Sequence, residues 1–83
     1  MKDLIEYIVK ALVDKPEEVN IQETGSESVT VIEVKVADED AGKVIGREGR
    51  IVNALRTIAK AAGAKDRKRI TVEIITKEEN RNE

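Results

Sequence analysis

The 83 residues suffice for one small domain and exclude a multidomain enzyme. With no cysteine and no histidine, the chain cannot build disulfides, thiol nucleophiles, imidazole bases or Cys/His zinc sites. Its 15 basic and 17 acidic residues are spread so that no uncharged run exceeds five residues (28–32 and 51–55), which argues against a bilayer-spanning helix or a signal-peptide core and predicts a soluble, cytoplasmic protein without membrane contact.

Leu4, Ile5, Ile8, Val9, Leu12 and Val13 fall on one broad stripe at helical spacing and predict a first helix over 2–13. Tyr7, the only aromatic residue, is expected to pack partly buried on that helix. Pro16 cannot continue the helix. Val19, Ile21 and Glu23 alternate with polar residues as a short strand, and Gly25 and Ser26 predict a hairpin turn over 24–28. Thr30, Ile32, Val34 and Val36 then form the apolar face of a second strand. Asp38 is the expected N-cap of a short helix over 39–45, with Glu39 and Asp40 complementing its dipole. Ile51, Leu55, Ile58 and Ala62 mark a further helix that Gly63 is expected to stop. A basic loop over 64–69 leads to a third strand over 70–75. The segment 77–83 has no apolar residue and is expected to be a disordered tail after a single domain over 1–76. Three one-faced strands and three amphipathic helices predict an α+β two-layer sandwich, with a three-stranded sheet covered on one face by the helices in the order αββααβ. The other sheet face would show Asn20, Gln22, Thr24, Glu33, Lys35, Thr71 and Glu73 to water.

The net charge of −2 conceals a strong polarity. Residues 1–42 carry four basic and 11 acidic groups, whereas residues 43–69 carry nine basic groups against Glu48 and Asp66. Such a local excess is an electrostatic footprint for an anionic partner, because the field at a site is set by charges within a Debye length of about 8 to 10 Å.

Inside the basic segment lies Val44-Ile45-Gly46-Arg47-Glu48-Gly49-Arg50-Ile51-Val52. Two glycines three apart between two helices permit a tight turn and close approach of a ligand to the backbone. The turn also presents the N-terminus of the next helix, whose free amides bind phosphate, with Arg47 and Arg50 flanking it. The spacing fits neither a P-loop nor a dinucleotide fingerprint. A GxxG alone equally serves a plain turn between packed helices; its element order and surrounding charge favour the ligand-binding reading.

This GxxG run, followed by an aliphatic-striped helix and an IxVxI strand, resembles a KH domain of the type II topology over residues 2–76, and is similar to the small bacterial stand-alone KH-domain proteins of the KhpA-like (YlqC-like) family. The resemblance implies a groove between the GxxG helices and the third strand, holding about four nucleotides of single-stranded RNA. It further implies a backbone clamp of Gly46, Arg47, Glu48 and Gly49, an apolar floor of Val44 and Ile45, and contacts from Lys43, Arg50 and Asn53. Lys65, Arg67, Lys68 and Arg69 fall in the segment corresponding to the variable loop beside the groove, whereas Arg56 and Lys60 read as solvated surface. A single tyrosine cannot supply the stacking platforms of RRM domains or most OB-folds, so an aliphatic groove is the consistent alternative.

The function expected is therefore non-catalytic binding of single-stranded RNA, as an RNA chaperone or post-transcriptional regulator, with no metal or cofactor. A protein-interaction role is the alternative. The resemblance implies a homodimer, or a heterodimer with a second KH-containing (Jag/KhpB-like) protein, and Val29, Val31 and Ile75 on the open sheet face are the expected contact residues.

Overall fold

The computed structural model describes residues 1–76, so the expected disordered tail lies outside the described residues. Helix α1 spans Lys2–Leu12 and ends one residue before expectation, because Val13 turns extended (ψ 161°) to carry the chain off the helix. Ile5 and Val9, four apart, are buried. Tyr7 lies 200° from each at 100° per residue, and it is 75% exposed, not partly buried as expected. After a 3₁₀ turn at Pro16–Glu18, strands β1 (Asn20–Gly25) and β2 (Val29–Val36) form a hairpin. Its three-residue connection forces antiparallel pairing, Asn20 opposite Lys35 through Gly25 opposite Thr30. The turn is closed by Ser26 N–H donating to the Val29 carbonyl at 2.7 Å.

The chain then crosses over through α2 (Ala41–Ile45) and α3 (Arg50–Lys65) to β3 (Arg69–Thr76). A connection of this length can return to the starting end of the sheet, and β3 pairs with β2 in parallel, Val29 opposite Arg69 and Val36 opposite Thr76. The sheet order is β1-β2-β3, a mixed sheet in the expected element order. Ile21, Ile32, Val34, Val36 and Val72 from the strands meet Ile5 and Val9 of α1, Val44 of α2, and Leu55 and Ala59 of α3 in one core. On the other sheet face Asn20, Gln22, Thr24, Thr71 and Glu73 are exposed, whereas Glu33 and Lys35 on the central strand are half-buried between their neighbours. No helix among the described residues is long and apolar enough to cross a membrane.

Two local expectations are corrected. Asp38 does not cap α2: a 3₁₀ turn over Asp38–Asp40 intervenes, and no side chain caps α2. Asp40, read as a partner of the helix dipole, is fully buried, and its two carboxylate oxygens accept the backbone N–H groups of Asp14 and Lys15 at 3.1 and 3.0 Å. It thereby pins the exit of α1 to the entry of α2. Gly63 does not stop α3, which continues through Lys65. A Cβ on Gly63 would lie 2.6 Å from the Lys68 carbonyl oxygen and 3.0 Å from Ile70 Cγ1, so the glycine is there to let the returning chain cross close to the helix.

Candidate functional site

The glycine pair between α2 and α3 is built by two different constraints. Gly46 ends α2 with φ 80°, its N–H donating to the Gly42 carbonyl at 2.8 Å. A Cβ there would lie 2.7 Å from Ile51 Cγ1 and 2.9 Å from the Ile51 nitrogen, so both conformation and space demand glycine. Gly49 (φ 78°) would meet nothing nearer than Asn53 Nδ2 at 3.6 Å, so its constraint is conformational alone. Between them Arg47 and Glu48 are exposed at the tip of a 3₁₀ turn over Arg47–Gly49, and Glu48 holds a left-handed φ of 56°. Gly49 is also the N-cap of α3 and offers no side chain, so the first turn of a 16-residue helix faces the loop without a side-chain acceptor on its amides. A helix N-terminus of this kind attracts anions through its amides and dipole. Arg47 and Arg50, both exposed, add full charge at the same place.

The remaining expected contacts divide. Ile45 is exposed and Asn53 is exposed one turn into α3, both beside the glycine turn. Val44 is fully buried in the core, so its side chain does not line the surface as the expected floor required. The ammonium of Lys43 lies 3.3 Å from an Asp14 carboxylate oxygen and 4.0 Å from Asp40, which commits it to the α1–α2 junction. Beside it, Lys15 and Glu39 form an exposed hydrogen-bonded ion pair, which raises the Lys15 ammonium and holds the Glu39 carboxyl below their usual ranges. Lys65, Arg67, Lys68 and Arg69 lie at the far end of α3 from the glycine turn. Arg69 is not a loop residue but opens β3, its N–H donating to the Ser28 carbonyl at 2.8 Å.

That far end is a Schellman motif, with Lys68 N–H donating to the Gly63 carbonyl at 2.7 Å and Arg67 N–H to Ala64 at 3.1 Å. Its left-handed position, usually glycine, holds Arg67 at φ 58°. Arg67→Gly is therefore expected to stabilise the fold by about 1 kcal/mol while weakening binding of a polyanion. Thermal melts and a binding titration on the same variant check the two opposite signs.

Arg56, read as solvated surface, is a residue that periodicity passed over. Its Nε donates to the Val72 carbonyl at 3.1 Å, bracing α3 against the free edge of β3. Only the strand's position in space could reveal it. Among the described residues, no group of three or more acidic, histidine or cysteine side chains is arranged to hold a metal ion.

Comparison with known proteins gives a consistent result. The family described as "KhpA/KhpB, KH domain" matches residues 2–74. The chain is 53% identical over 75 residues to "RNA-binding protein KhpA" of Clostridium perfringens, covering 90% of this chain and 100% of the relative. The protein of the same name from Clostridium acetobutylicum is 55% identical over 75 residues, with the same coverage. That from Treponema pallidum is 45% identical over 74 residues, covering 89% and 92%. No solved structure gives a significant match.

Proposed function

Because the chain belongs to the KhpA/KhpB KH-domain family, we propose that it is a non-catalytic protein of the cytoplasm that binds single-stranded RNA, as a chaperone or post-transcriptional regulator, gripping about four nucleotides at the glycine turn. The observation that carries this reading is the turn itself: two glycines with positive φ, a helix N-terminus without a side-chain cap, and Arg47 and Arg50 on either side. The relatives named as RNA-binding proteins support the same class of partner. Ile45 and Asn53 flank the turn as an aliphatic and a hydrogen-bonding contact.

The role of the cations at the far end of α3 is tested by neutralising Lys65, Arg67, Lys68 and Arg69 together. For single strands, the slope of log affinity on log salt changes by about 0.7 per phosphate contact, so the loss of two contacts flattens it by about 1.4. Titrations of a short single-stranded RNA at several salt concentrations measure it, and an unaltered slope would return these residues to solvated surface.

Self-association, or pairing with a second KhpB-like KH protein, is a compatible second reading. The observation favouring it is apolar exposure: Leu4 (44%) and Tyr7 on α1 and Ile58 (40%) on α3 stand out, and of the expected sheet-face contacts Val29 (39%) is exposed while Val31 and Ile75 are half-buried. Apolar surface of this kind on a small domain is covered profitably by association. Sedimentation across a dilution series should show a dimer at high micromolar concentration that Tyr7→Lys or Ile58→Lys weakens. A monomer at every concentration would remove the homodimer.

A further inference from the structure

The position that a Gly49 side chain would fill is open, bounded by Asn53 Nδ2 at 3.6 Å on one side and by Val52 Cγ1 at 4.0 Å on another. The space therefore has one polar and one apolar wall. Asn53 is four residues beyond Gly49, about 6 Å along the helix axis, and a helical side chain leans toward the N-terminus of its helix, which brings the carboxamide back over the turn. Among the described residues, no hydrogen bond falls on that carboxamide. Its donor and its acceptor are both available to a ligand.

Single-stranded RNA and single-stranded DNA bring the same phosphates to Arg47, Arg50 and the first turn of α3, so charge alone does not tell them apart. The ribose 2′-hydroxyl does. It sits on the sugar carbon next to the one that bears the 3′-phosphate, so a phosphate held at the turn places a hydroxyl beside it. Over residues 44–53 the aliphatic side chains have no polar atom, Arg47 and Arg50 only donate, and Glu48 brings a charge that repels the neighbouring phosphate. Asn53 is the one neutral side chain of that segment with both a donor and an acceptor, matching a hydroxyl that has both. Thr57, one turn further on, already donates its hydroxyl to the Asn53 backbone carbonyl at 3.0 Å. The apolar wall at Val52 suits the C–H face of the same sugar.

We infer that Asn53 is the residue by which this chain tells RNA from single-stranded DNA: its carboxamide hydrogen-bonds the 2′-hydroxyl of the nucleotide whose 3′-phosphate is held at the glycine turn, and Val52 backs the sugar. The inference rests on the RNA-binding reading and deepens it, from a contact to the atom that the contact reads. Because every ribonucleotide carries this hydroxyl, the position selects the sugar and is indifferent to the base.

The test compares three four-nucleotide strands of the same cytosine sequence, with ribose, 2′-deoxyribose or 2′-O-methylribose, by fluorescence anisotropy on the full chain and on Asn53→Ala. Asn53 is exposed and alanine is the stronger helix former, so the variant should keep the fold, which circular dichroism checks. The unaltered chain should prefer ribose to deoxyribose by about tenfold, equivalent to about 1.4 kcal/mol and within the range of one hydrogen bond. The 2′-O-methyl strand keeps the sugar pucker of RNA but has no hydroxyl proton and a bulkier oxygen, and it should bind no better than DNA. In Asn53→Ala the ribose preference should fall below about twofold. A tenfold preference kept in Asn53→Ala, whether or not both strands weaken, would overturn the inference. So would equal binding of ribose and deoxyribose by the unaltered chain, or a 2′-O-methyl strand that binds as well as RNA; each of these leaves binding at the glycine turn intact. Failure of all three strands to bind would overturn the RNA-binding reading and the inference with it.

Discussion

Replacing Arg47 and Glu48 by aspartates is expected to weaken binding of single-stranded RNA by about two orders of magnitude while leaving the fold unchanged. Both side chains are exposed and belong to no core contact. Glu48 already holds a left-handed φ of 56°, a conformation that aspartate tolerates better than most residues, so the turn itself should persist. Reversing Arg47, in contrast, turns an attraction at phosphate distance into a repulsion. At about 4 Å each is worth between about 1 kcal/mol in water and about 4 kcal/mol near a protein surface, so their combined loss lies between about 2 and 8 kcal/mol, and for an exposed turn it falls toward the low end, where about 2.8 kcal/mol is a hundredfold. Anisotropy titration and circular dichroism on the double variant measure the two halves. Full binding by a folded variant would move the RNA away from the glycine turn.

Asp40→Ala is expected to give the largest stability loss of any single polar substitution, about 3 kcal/mol. The carboxylate is fully buried, and two backbone donors 25 and 26 residues away in sequence end on it. Removing it leaves the N–H groups of Asp14 and Lys15 without their acceptor, each costing about 1 to 3 kcal/mol, and releases Lys43 from its nearest buried charge. With about 4 to 8 °C of melting temperature per kcal/mol for a domain of this size, the melt should fall by more than 10 °C. Asp40→Asn should lose about half as much, because its amide oxygen still accepts one of the two bonds. A shift of only 1 or 2 °C for Asp40→Ala would show that water satisfies those amides without cost.

Residues whose role depends on periodicity were legible in the sequence. Ile5 and Val9 at helical spacing, and Ile32, Val34 and Val36 at alternate positions, identified their buried faces because one period governs both conformation and burial. The glycine turn was legible for a similar reason, since short-range backbone geometry is encoded locally. Asp40 was not: a carboxylate opening a helix reads as a dipole partner, and only the fold brings residues 14 and 15 to it. Gly63 was misread because a glycine near a helix end serves termination and close approach alike, and the approaching strand is set by tertiary structure. Arg56 lacked a local signal, because its partner is a carbonyl on a strand 16 residues further on. The exposed face of Tyr7 follows from the same helical period, but an aliphatic stripe wider than its sheet conceals which margin is left uncovered.

The central claim is that RNA is held at the turn between α2 and α3, and amide chemical-shift mapping tests it most directly. Titrating a four-nucleotide single-stranded RNA into ¹⁵N-labelled protein should shift the amides of Ile45, Gly46, Arg47, Glu48, Gly49, Arg50 and Asn53 most strongly, with those of β1 and the outer face of α1 left in place. Shifts concentrated on β1 or around Leu4 and Tyr7, with the glycine turn silent, would contradict the account.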